Sequence, residues 1–157
     1  MPLTLDGNGD ISGLVAGALP SNVIGAGAVL QVVSSTTTSQ VSTSSTSFTS
    51  ATLAVSITPT STSSKVYVIV NTTAQGSTTN SLYYTIYRGA TNLGGTLGMA
   101  LFSNGNGNEF PFAMTYLDSP STTSSTTYTV YFRTNTGSVF MGETNTVTSI
   151  TAMEIAG

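Results

Sequence analysis

Ile57–Val70 reads ITPTSTSSKVYVIV, and its two ends decide the fold class. Val66-Tyr67-Val68-Ile69-Val70 is an unbroken β-branched and aromatic run. Such a run suits a strand covered on both faces, where either side-chain direction meets apolar neighbours. Upstream the pattern alternates. Leu53, Val55 and Ile57 share one face, and Ala54, Ser56 and Thr58 share the other, the period of a half-buried strand. Between the two lies Pro59-Thr60-Ser61-Thr62-Ser63-Ser64. Proline has no amide hydrogen for a ladder, and short hydroxyl side chains bond their own backbone in turns. The stretch is therefore strand, polar turn, buried strand, and the rest of the chain must supply neighbours to Val66–Val70.

Working outward, Ala28–Val33 (AVLQVV) reads as the first strand of the globular part. Residues 34–46 are almost wholly Ser and Thr and read as a solvent-facing edge strand or loop. Leu82–Arg88 (LYYTIYR) is a further strand, ending in a hairpin tip at Gly89. A softer one is expected over Thr96–Phe102, and another over Phe110–Leu117, entered through Pro111. Thr126–Thr134 places Tyr128, Val130 and Phe132 on one face and leads into an Asn135-Thr136-Gly137 turn. Ser138–Gly142 returns, and Val147–Ile155 closes the chain, with Ile150, Ala152 and Glu154 sharing a face. Roughly eight to ten short strands separated by turn signals, with no convincing helix, predict an all-β protein, an antiparallel β-sandwich of jelly-roll type.

The chain has 157 residues, of which 6% are charged and about a third are Ser or Thr. A typical soluble domain carries roughly 25% charged residues. A hydroxyl-rich, charge-poor surface suits β-structure and a chain covered by identical copies. The only basic residues are Lys65, Arg88 and Arg133. Three isolated cations make no phosphate-neutralising patch, so no nucleic-acid partner is expected. The absence of Cys excludes disulfides and thiolate metal sites, and the absence of His removes the commonest general base. No run is long enough to insert in a membrane as a helix, and no signal-peptide pattern opens the chain.

Residues 1–27 differ from the remainder. Ile11, Leu14, Val15, Leu19, Val23 and Ile24 are separated by Gly, Ala, Ser and Pro, and the glycines argue against a lasting helix. An extended arm that cannot bury these anchors alone wants a partner, so residues 1–27 read as a docking or oligomerisation arm and residues 28–157 as the jelly-roll domain. Asp6, Asn8 and Asp10 have the D-x-N-x-D spacing of oxygen ligands. A calcium loop of the helix-loop-helix type would continue with glycine at position 11 and an acid at position 17, where this chain has Ile11 and Gly17. The set reads as a polar turn, with these three as candidate metal ligands only. Glu109, Asp118, Glu143 and Glu154 are scattered, and nothing in the sequence pairs two of them for glycoside hydrolysis. No catalytic residue and no cofactor is expected. Glu154 reads as outward-facing or salt-bridged to Arg88 or Arg133. Tyr83, Tyr84 and Tyr87 are candidate glycan contacts, because aromatic faces stack on apolar ligand faces. Packing in a core or a subunit interface is the competing reading.

Five segments carry a family resemblance: TLDGNGDISGL (4–14), LPSNVIGAGAVLQVV (19–33), SITPTSTSSKVYVIV (56–70), YTIYRGATNL (84–93) and SITAMEIAG (149–157). Together, and in this order, they resemble fibre and appendage proteins of tailed bacteriophages, especially those infecting cyanobacteria and marine bacteria. In that group the globular part resembles the trimeric jelly roll of complement and tumour necrosis factor. The resemblance implies a virion structural protein, a homotrimeric knob or decoration contacting other virion proteins. The apolar residues of the arm would dock it, and a host surface glycan is the alternative partner. The chain lacks the long repeated shaft of typical tail fibres, which points to a minor fibre, a baseplate tip or a head decoration.

Overall fold

The computed structural model describes residues 4–5, 11–12, 25–77, 80–104 and 107–157. In the arm, β1 (Thr4–Leu5) and β2 (Ile11–Ser12) pair antiparallel, with Leu5 opposite Ile11. The domain that follows holds β3 (Val29–Thr37), β4 (Val41–Thr43), β5 (Thr49–Ile57), β6 (Lys65–Gly76), β7 (Asn80–Arg88) and β8 (Thr91–Asn92). It continues with β9 (Ala100–Asn104), β10 (Glu109–Asp118), β11 (Thr126–Thr134), β12 (Val139–Met141) and β13 (Thr148–Ile155). No described residue is helical.

β6 is the hub. β10 pairs along the whole of one edge, while β13 and then β12 pair along the other. β3 extends the sheet beyond β13, and β4 extends it beyond β12. The second sheet runs β5, β11, β7, with β8 and β9 both on the far side of β7. All pairings are antiparallel. The chain alternates between sheets: β3 and β4 in the first, β5 in the second, β6 back in the first, β7 to β9 in the second, β10 in the first, β11 in the second, and β12 and β13 in the first. With β3–β4 and β12–β13 each filling one strand position, four positions face four. That is the predicted jelly-roll sandwich.

The alternating patterns land as expected. Val66, Val68 and Val70 are completely buried, as are Tyr128 and Val130, while Leu53, Val55, Ile57 and Phe132 join them in the core. Tyr84 lies at the centre of the core, stacked 6.2 Å from Phe132 and tilted 4.7 Å from Phe112. The first strand runs beyond Val33 to Thr37 and the hydroxyl-rich stretch adds β4, so the polar segment forms the exposed edge of its sheet. The strand expected over Thr96–Phe102 begins only at Ala100. The reason is Gly98, whose φ is +80° and whose added Cβ would stand 2.5 Å from the Tyr84 carbonyl. A bulge in β5 places Thr52 at φ 63°, an outlying conformation for a β-branched residue. Ala51 and Leu53, on either side of it, are both buried.

One expectation changes. Val66–Val70 is not covered on both faces by its own chain: Tyr67 and Ile69 point away from the sandwich and stay half-buried. A two-layer fold places another sheet against only one side of β6.

Candidate functional site

Tyr83 and Tyr87 lie on the outer face of β7, half-buried. Tyr84 does not. It shares its strand parity with Leu82 and Ile86, is completely buried, and donates from its hydroxyl to the Phe140 carbonyl at 2.6 Å. Burial holds that hydroxyl far above the usual phenol range. Tyr84 is therefore corrected from a glycan contact to a core residue, because the pleat turns alternate side chains to opposite faces.

The structure joins Tyr83 and Tyr87 to three residues that are distant in sequence. Arg133 on β11 sits opposite Tyr83, its guanidinium carbon 3.7 Å from the centre of that ring and 5.1 Å from the Phe48 ring. Tyr87 stacks on Tyr131 at 4.0 Å and meets Phe48 edge-on at 6.3 Å. Arg133 also donates to the carbonyls of Thr46 and Thr96, at 3.4 and 3.3 Å. The result is an aromatic platform with a cation held between two rings, an arrangement that stacking and cation–π attraction favour.

The outer face of the other sheet is different. Register places Val32 opposite Met153, Met153 opposite Tyr67, and Tyr67 opposite Leu117. This apolar row crosses four strands, and its ends are open: Val32 is 55% exposed and Leu117 51%. It contains no charged residue. Four to six residues further along β6, a shallow groove of about 330 Å³ opens over Asn71 and Thr73, walled by Pro111 and by Thr146–Val147. Val147 on its rim is 63% exposed. Sequence reading missed both features because each is assembled across strands from single residues. The outward parity of Tyr67, Met153 and Leu117 was the available signal.

The carboxylates are placed as follows. Asp118 is buried and accepts from Arg88 Nη1 at 2.9 Å and from the Tyr128 hydroxyl at 2.6 Å, tying the two sheets together. Burial first, and then this bond to Asp118, push the Tyr128 hydroxyl far up. Glu154 is not outward-facing, and among the described residues it makes no salt bridge. It is completely buried and accepts from Gln31 Nε2 at 2.6 Å and from the Thr60 amide and hydroxyl, each at 2.7 Å. The reason is its parity with Ile150 and Ala152, and the polar turn after Pro59 supplies two of the three donors. Burial pushes the Glu154 carboxyl up, but these donors, with the nearby Ser64 hydroxyl, outweigh it and leave the carboxyl below its usual value. Ser64 Oγ is itself buried and makes no hydrogen bond of normal geometry.

Glu109 and Glu143, separate in sequence, do come together. The protonated Glu109 carboxyl donating to Glu143 is the main cause that raises it, with desolvation and the neighbouring charge adding to it. Gln40 Nε2 donates to Glu143 at 2.7 Å. Of the arm residues, Ile11 belongs to β2. Asp6, Asn8, Asp10, Leu14, Val15, Leu19, Val23 and Ile24 lie outside the described residues. Among the described residues, no three His, Cys, Asp or Glu side chains cluster as a metal site. No protein-family model matches the chain, and no curated protein is significantly similar to it.

Proposed function

We propose that this chain is a non-enzymatic structural protein of a phage particle. It assembles as a homotrimer, docks to the virion through residues 1–27 and projects its jelly roll. The observation that carries the reading is the charge-free apolar row Val32–Met153–Tyr67–Leu117, open at both ends on a surface otherwise rich in hydroxyls. An exposed, contiguous apolar patch marks an interaction site. Closed symmetric assembly is the usual outcome for like subunits. The resemblance to phage appendage proteins supplies the setting. Light scattering of the full chain at micromolar concentration is expected to give a trimer, and deletion of residues 1–27 to leave a folded domain that no longer enters particles. A monomeric full chain, or normal incorporation of the truncated one, refutes the corresponding part.

A second reading, a host-glycan adhesin, is favoured by the platform of Tyr83, Arg133, Phe48, Tyr87 and Tyr131. Binding on a glycan array that is lost in Tyr83→Ala would establish it. No binding by the parent chain leaves the structural role alone.

A further inference from the structure

The outer face of the β6 sheet carries two unlike patches at opposite ends. One is the apolar ridge of Tyr67, Leu117 and Met153. The other is the groove between Pro111 and Val147. Tyr67 and Thr73, which mark ridge and groove, are six residues apart on one strand, or roughly 20 Å at ~3.3 Å per residue. The charges are divided in the same sense. Lys65, exposed and two residues from Tyr67, stands at the ridge end. Glu109 and Glu143 stand at the groove end, Glu109 two residues from Pro111 and Glu143 three residues before Thr146. Among the described residues Lys65 makes no salt bridge. The other described acids, Asp118 and Glu154, point inward and are buried.

From this juxtaposition we infer that the occupant of the face is a second copy of the chain, with the ridge of one copy seated in the groove of the next. Lys65 of the first then approaches Glu109 and Glu143 of the second. A foreign partner would need only one of the two patches. A second copy uses both, meeting apolar surface with apolar surface and cation with anion in a chain of net charge −3. Contact between unlike patches is the head-to-tail kind, which closes into a ring when its rotation allows. The inference rests on the self-assembly reading above and gives it a surface.

Leu117→Arg blocks the ridge and Val147→Arg blocks the groove. Both residues are more than half exposed, so each variant is expected to fold, as far-UV circular dichroism would show. By sedimentation each alone is expected to lose self-association at least tenfold. An equimolar mixture is expected to pair at least tenfold more tightly than either variant by itself, because one intact ridge still meets one intact groove. Lys65→Glu should weaken assembly, and adding Glu109→Lys should restore it. Lys65 opens β6 and Glu109 on β10 pairs with Gln75 near its other end, so that rescue can act only between copies. A monomeric parent chain overturns the self-assembly reading and this inference with it. A parent assembly of two copies overturns the three-fold ring alone, since the same contact can be made twice about a two-fold axis. An assembled parent whose Leu117→Arg and Val147→Arg variants stay assembled overturns the ridge-in-groove contact and leaves self-assembly standing. Loss in Leu117→Arg alone, without rescue in the mixture, shows ridge meeting ridge and also overturns it.

Discussion

Val68→Asp is expected to yield insoluble or unassembled protein. Val68, the fourth residue of β6, is completely buried and pairs with Tyr116 on one side and Ala152 on the other. Its side chain points into the space between the sheets, among Val66, Val70 and the inward residues of β5 and β11. The described cation nearest to being shared, Arg88, is already held by Asp118. An uncompensated buried carboxylate costs about 3–5 kcal/mol, a large part of a domain's whole stability of ~5–15 kcal/mol. Ser44→Asp makes the same addition of charge at an exposed position just past β4. It is expected to shift stability by less than about 0.5 kcal/mol, as surface changes usually do. Thermal melts of the two variants beside the parent check the contrast. Equal melting temperatures would show that β6 is not the central strand.

Acid should weaken the fold through Glu154. Three short hydrogen bonds converge on this completely buried carboxylate, and its carboxyl lies below the usual value of 4.5. A group depressed in the folded state contributes stability that is fully present above the unfolded value. That contribution is lost as pH falls through the lower, folded value. The parent should therefore hold its stability down to about pH 5 and lose it progressively below that. Glu154→Gln removes the charge and turns an amide NH₂ toward the Thr60 or Gln31 donors. Leaving a buried donor without its acceptor costs about 1–3 kcal/mol, the deficit expected near neutrality. Near pH 3, below the unfolded carboxyl's value, much of the parent's contribution is lost and the gap should narrow by at least about half. Urea unfolding of both proteins at the two pH values tests this. A gap that stays constant between them would mean that the carboxyl is not ionised in the folded protein.

The same polar turn shows where reading a linear chain stops. Pro59–Ser64 was legible as a turn because its residues prefer turns locally. That it donates to a glutamate 94 residues away depends on β13 lying beside β6. Glu154 shares its parity with Ile150 and Ala152, so its inward direction was open to view in the alternation. Its partners were not, and an inward acid without visible partners reads as an outward one. Tyr84 is a similar case, since its place with Leu82 and Ile86 in one parity class already put it inside.

The sequence by itself determined the all-β class, most strand positions, the inward faces of β5 and β11, and the exposed character of the Ser/Thr edge. These follow from side-chain stereochemistry and the period of two, both of which act between near neighbours in the chain. Only the tertiary structure decided that no second sheet covers the outer side of β6, that Arg133 meets Tyr83 and Phe48, and that a ridge and a groove share one face. Those outcomes depend on which strands pair and in what register. Register is set by how the whole core packs, and it joins residues that no local preference connects.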